Sequence, residues 1–168
     1  MEQSPVAAMH SRLRKISPMP DDDLLPAALI ATYQEIVADL ARYRHPESIR
    51  PLIDSFGYGE ANGAYWSTLH VLESYPLELV EPELIAALGS GMSGPSQWSA
   101  YMLGRCRSRA AVAPLVSLLG HEKPLVRASA VMALGMIGDG SARSAVEALR
   151  DDPAPEVRNE VRRALRSM

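Results

Sequence analysis

The sequence predicts an all-α chain, a right-handed α-solenoid of stacked antiparallel helix pairs with a period of about 31 residues. Three observations carry that reading. A ten-residue pattern from Val126 to Gly135 realigns when the chain is shifted by 31. The segments between its copies keep the same register, and each copy breaks at Gly or Pro into two amphipathic stretches.

The realignment is residue by residue. Val157, Arg158, Val161 and Leu165 fall on Val126, Arg127, Ala130 and Leu134. One step back, Leu103-Gly104 falls on Leu134-Gly135 and Ala100 on Val131; a further step puts Leu72 on Leu103. Leu84, Ile85, Leu88 and Gly89 match Leu115, Val116, Leu119 and Gly120 without a gap. Leu52, Ile53, Phe56 and Gly57 match with one residue slipped. Each copy holds a short first helix with apolar residues on one face, such as 112, 115, 116 and 119, and a second helix burying Val126, Ala130, Ala133, Leu134 and Ile137. One pair cannot bury both apolar faces, so the unit must be iterated.

In chain order, helices are expected over 24–44, 47–56, 62–74, 79–88, 95–105, 110–119, 124–137, 141–150 and 155–167. Asp21-Asp22-Asp23 suits the start of the first through capping and the helix dipole. Gly120 and Pro124 separate the helices of one pair, and Gly138-Asp139-Gly140 ends it. The last helix turns Glu160, Arg162, Arg163 and Arg166 outward, as an end cap does. Residues 1–20 read as a flexible arm, leaving 21–168 as a single solenoid domain.

At 168 residues, 47% hydrophobic and 22% charged, the chain has the balance of a globular domain. No apolar run reaches the roughly 18 residues of a membrane span. Arg12, Arg14 and Lys15 are followed by no apolar stretch of the kind a secretory signal needs. Cys106 is the one cysteine and permits no intrachain disulfide; the expected location is cytoplasmic. Charge is polarised: residues 1–101 hold 6 Lys/Arg against 13 Asp/Glu, a net −7, and residues 102–168 hold 11 against 7, a net +4. All nine aromatic residues lie between Tyr33 and Tyr101.

Val126-Arg127 with Ala130, Leu134-Gly135 and Gly138-Asp139, repeated in part by Val157-Arg158 and Leu165, resemble the HEAT-repeat superfamily, in particular its short bacterial HEAT-like form related to phycobilin lyase subunits. The resemblance covers roughly residues 46–168. It implies that the second helix of each pair lines a concave surface. Counting by 31 then gives outward columns: Trp66, Gln97, Ala128, Asn159; His70, Tyr101, Met132, Arg163; and Glu73, Gly104, Gly135, Arg166, with Arg105 adjacent.

The candidate partner-binding residues are therefore Tyr65, Trp66, His70, Glu73, Gln97, Trp98, Tyr101, Arg105 and Met132, joined by Tyr58 and Glu60 from the Gly57–Gly63 loop. Trp66 and Trp98 read equally as surface anchors or as fillers of gaps between imperfect repeats. The loop reads as a contact loop or as a simple turn.

His121-Glu122 resembles one of the His-Glu pairs that bind iron in the HEAT-like deoxyhypusine hydroxylases, a family that needs several such pairs facing each other; here one pair sits in a turn. No phosphate loop, nucleophile elbow or metal-ligand spacing is present. Cys106 lies between Arg105 and Arg107, which favours a thiolate, but it reads as an idle thiol. The expectation is a non-catalytic protein–protein interaction module, not an enzyme and without a cofactor, whose acidic half attracts a partner with a basic surface. An immunity or antitoxin protein is one specific form. Two alternatives are a phycobilin lyase-like protein holding a planar ligand with Trp66, His70 and Tyr101, and nucleic-acid binding through the C-terminal arginines.

Overall fold

A computed structural model describes residues 4–168, and every regular element among them is helical. The ten helices are α1 (Pro5–Arg14), α2 (Ala27–Tyr43), α3 (Ile49–Asp54), α4 (Tyr65–Glu73), α5 (Leu77–Leu88), α6 (Ser93–Arg105), α7 (Val112–Leu118), α8 (Pro124–Ile137), α9 (Arg143–Glu147) and α10 (Pro155–Ala164). The chain divides into two compact units, one ending at Glu83 and one spanning Leu84–Met168, where a single solenoid over 21–168 was expected. Residues 84–101 carry no charged side chain, so the first unit keeps the net −7 and the second the net +4.

Predicted and observed boundaries coincide for α8, where Pro124 opens the helix and Gly138 closes it at φ +71° with its N–H on the Leu134 carbonyl. Helices α3, α7 and α9 open later than predicted, because 3₁₀ turns at Pro46–Ser48, Arg109–Ala111 and Gly140–Ala142 take their opening residues, whereas α5 starts two residues earlier than the expected 79.

The second unit repeats one packing solution. Helix α8 lies between α6 and α10 and also rests on α7. Val126, Ala130, Ala133, Leu134 and Ile137 are all buried, as the periodicity predicts. Close approach is set by glycine. A Cβ on Gly104 would lie 2.6 Å from the Ala133 Cα, and one on Gly135 would lie 2.7 Å from the Ala164 Cβ. The two contacts are the same contact 31 residues apart. Arg127 and Arg158 repeat likewise. Arg127 donates to the His121 and Glu122 carbonyls at 2.8 and 3.0 Å, and Arg158 to those of Asp152 and Pro153 at 2.6 and 2.9 Å. Arg127 adds a buried bidentate pair with Asp152, both bonds 2.8 Å; this guanidinium holds the Asp152 carboxyl below its usual pKa.

The first unit is built around aromatic rings. Tyr33 and Phe56 meet the Tyr65 ring edge-on at centroid distances of 5.6 and 5.4 Å, and all three are fully buried. The Tyr33 hydroxyl bonds the Ser55 and Thr68 hydroxyls, and burial pushes its pKa up to about 12.

The expected arm over 1–20 needs correction. Its first three residues lie outside the described residues. From Pro5 on it forms α1, which packs on α2 and α3 and buries Met9 and Leu13, with Met19 buried beyond it. The His10 Nε2 lies 2.8 Å from the Ser48 Oγ. Burial of three apolar side chains, at about 1.5–3 kcal/mol each, supplies the reason. Asp21-Asp22-Asp23 does not cap α2 either: α2 opens at Ala27 behind Pro26, with no side-chain cap.

Candidate functional site

In the first unit, helix α4 divides its residues between core and surface. Trp66, His70 and Glu73, spaced i, i+4 and i+7, are exposed along one face, Trp66 to 40%. Tyr65 faces inward. Its hydroxyl accepts the Gly57 N–H at 2.9 Å, and burial raises its pKa. Tyr65 is therefore a core residue, which corrects its assignment to the partner surface: a ring between Tyr33 and Phe56 offers a partner nothing.

The Gly57–Gly63 loop is clamped from outside itself. The Asp22 carboxylate accepts the Glu60 and Ala61 N–H groups, both at 2.8 Å. The Asp22 N–H returns to the Tyr58 carbonyl, and the Met19 N–H bonds that of Ser55. A Cβ on Gly59 (φ +115°) would fall 2.3 Å from the Asp22 Cγ, and one on Gly57 2.4 Å from the Met19 carbonyl oxygen. These glycines admit the 19–22 segment. Tyr58 is half-buried and the Glu60 side chain exposed, on a loop held at its backbone.

In the second unit the expected columns separate. Gln97 and Trp98 are 7% and 5% exposed and Ala128 is equally buried, so the Gln97–Ala128 column faces inward, contrary to expectation. Trp98 packs edge-on against Tyr101 at 6.0 Å. Tyr101 is half-exposed, with the exposed Arg105 guanidinium 5.8 Å from its ring centre. The column Tyr101, Met132, Arg163 stays open to solvent, as does its neighbour Arg105, Met136, Ser167, in the same 31-residue register.

The C-terminal halves of α8 and α10 border a cleft of about 600 Å³ with Arg107, Met132, Gly135, Met136, Glu160 and Arg163 in its wall. Sequence reading found Met132 but missed Arg107, Met136 and Glu160. Arg107 stands where the repeat has Gly138 and adopts the same left-handed conformation, φ +54° against +71°. Its N–H bonds the Gly104 carbonyl and the Ser108 N–H that of Leu103, both at 3.0 Å, a Schellman turn closing α6. The signal was available by counting 31 back from Gly138.

His121 serves the turn it sits in. Its Nδ1 accepts the Lys123 N–H at 3.0 Å, as Asp152 accepts the Ala154 N–H at 2.9 Å one period later. Among the described residues no group of three His, Cys, Asp or Glu side chains is placed to hold a metal. The C-terminal arginines are also engaged. Arg143 donates to the Leu165 and Met168 carbonyls, Arg150 to Glu147, Arg162 to Asn159 and Arg163 to Glu160. Of these, Arg150 and Arg163 are paired with carboxylates, while Arg143 and Arg162 bond neutral oxygens and keep an uncompensated charge. Among the described residues no helix is long and apolar enough to cross a membrane.

Stacked helix pairs with recurring Gly–Ala contacts and loop-binding arginines define a helical-repeat protein. The chain belongs to the HEAT-repeat family, whose sequence model, described as HEAT repeats, matches residues 81–166. No curated protein matches the chain. Among solved structures, human deoxyhypusine hydroxylase in complex with glycerol superposes with a TM-score of 0.60 at 20% identity, over 95% of this chain and 62% of that one. The likeness shows the shared fold, and this chain spans less than two thirds of that enzyme's length. It also corrects the expectation that the chain is not an enzyme. The same architecture carries a hydroxylase, so the lack of a familiar catalytic motif does not exclude catalysis.

Proposed function

We propose that this chain is a protein-binding repeat module that engages its partner across the exposed face of the second helices. HEAT repeats generally serve as interaction scaffolds, and one observation carries the reading here. Positions 101, 132 and 163, and beside them 105, 136 and 167, stay uncovered at 31-residue spacing, while the apolar faces of α6 and α8 are buried. Met136 is 38% exposed and borders the cleft. In the first unit His70 holds the position equivalent to Tyr101 and is exposed, and Trp66 and Glu73 are exposed on the same face of α4. Trp and Tyr of this kind dominate interface energetics. The net −7 of the first unit favours a basic partner surface there and speeds encounter more than it adds affinity.

The test is photo-crosslinking in the native cell, with a benzophenone amino acid placed at Trp66, Tyr101 or Met132 and, as control, at Glu147 on a first helix. Discrete protein adducts from the second-helix positions and none from Glu147 are expected. Adducts of equal yield at Glu147, or none anywhere, overturn the reading.

A further inference from the structure

The cleft of the second unit has one feature that its fold does not need. At the end of α8 the left-handed turn is made by Gly138, the residue that adopts this conformation without steric penalty. At the equivalent turn after α6 the chain places Arg107 and accepts the strain. A cation complementing the end of α6 is already present in Arg105, in the last turn of that helix. The guanidinium of Arg107 is exposed, and no ion pair joins it to any described residue, whereas Arg163 across the cleft is held by Glu160 at 2.8 Å. The wall between them is apolar and adaptable: Met132, half-exposed, and Met136, with Gly135 between them in the chain.

We infer that this cleft is the docking site for an acidic segment of a partner protein, a carboxylate pairing with Arg107 while a neighbouring apolar side chain lies on Met132 and Met136. The inference rests on the protein-binding reading and deepens it. Charge complementarity selects the occupant: the unit carries net +4, and Arg107 is a cation at the cleft that no described residue joins in an ion pair. The thioether wall favours a peptide with an apolar side chain over a small free anion or a phosphate strand.

The experiment measures fluorescence anisotropy of the full chain with three labelled synthetic peptides: Glu-rich with interspersed Leu, the same with Lys for Glu, and the same with Ser for Leu. The Glu/Leu peptide binds, and weakens as ionic strength rises from about 0.01 to 0.15 M, where screening shortens from about 30 to about 8 Å. Arg107→Gly weakens it about tenfold yet raises Tm by roughly 2–4 °C, since glycine relieves the turn. A structural role for Arg107 predicts the opposite sign in Tm. Met136→Glu weakens binding as well. The inference is overturned if no peptide binds, if the Lys or Ser peptide binds equally, if Arg107→Gly leaves affinity unchanged or lowers Tm, or if an oligo(dT) strand displaces the peptide. Crosslinked adducts at Trp66 or Tyr101 without peptide binding would sink the cleft proposal and leave the protein-binding reading standing.

Discussion

The two units reach stability by different means. From Leu84 onward the chain solves one packing problem and repeats it: Gly104 admits Ala133, Gly135 admits Ala164, and Arg127 and Arg158 each gather two loop carbonyls. Up to Glu83 nothing recurs in that way. Three aromatic rings fill the core, a carboxylate near the start of the chain clamps a loop 38 and 39 residues later, and a histidine hydroxyl contact tethers α1. Repetition places the same constraint at many positions; the single-use contacts each hold one place in the first unit. The family match, which begins at residue 81, follows the repeated part.

The largest effect that separates the two strategies should come from Arg127. Its removal strands the Asp152 carboxylate, whose side chain is only 4% exposed, and orphans two carbonyls. Breaking a buried pair from one side costs about 3 kcal/mol or more. Arg158→Ala loses carbonyl contacts alone and should cost about 1 kcal/mol. Urea denaturation of both variants checks the ranking; equal costs would mean that the ion pair adds nothing to the repeat. The pH dependence has a defined sign. With its folded pKa lowered, Asp152 contributes stability that is fully present above its ordinary 3.8 and lost as pH falls through the lower folded value. Arg127→Ala should flatten that acid limb.

Next in size is the glycine notch. Gly135→Ala places a methyl 2.7 Å from the Ala164 Cβ and 2.8 Å from its Cα, so α10 must shift, at about 1–3 kcal/mol. Adding Ala164→Gly moves the methyl across the same contact and exchanges one helix-propensity term for another. The double variant should recover to within about 1 kcal/mol of wild type, a strong coupling between neighbours. A double variant no better than the sum of its parts would show that the helices touch elsewhere.

This difference also explains what was legible in the sequence. Val126, Ala130, Ala133, Leu134 and Ile137 announce a buried face because their spacing recurs, and α8 was predicted to the residue. Helix α1 was missed because Met9 and Leu13 are too few, among Arg12, Arg14 and Lys15, to mark an apolar stripe; their burial depends on α2 and α3. Likewise Gly57–Gly63 shows itself as a turn, but not that Asp22 holds it. At the candidate surface, counting by 31 placed Tyr101, Met132 and Arg163 on one open column and failed for Gln97 with Ala128 and for Gly104 with Gly135, which lie inside; Trp98, which read as either anchor or filler, is also inside. Period fixes which residues are equivalent, and packing decides which way they face. Arg107 was overlooked because an arginine reads as a surface cation, whereas its meaning comes from occupying a glycine's turn.

The smallest effect tests whether α1 is part of the first unit's fold or a separable strap. His10 is buried against Ser48, and its pKa is lowered by that burial and then by Arg14, with His45 acting in the same direction and Glu47 opposing. Protonation is thus easier in the undocked state. The docking contribution is fully present above the ordinary value of 6.5 and declines as pH falls below it. Amide exchange in α1 should accelerate relative to α2 between about pH 7 and pH 5, after correction for intrinsic rates. His10→Gln keeps a hydrogen-bonding group near Ser48 and removes the titration, so its α1 protection should not change over that range. If both proteins respond alike, the histidine does not govern docking, and the apolar contacts of Met9 and Leu13 hold α1 by themselves.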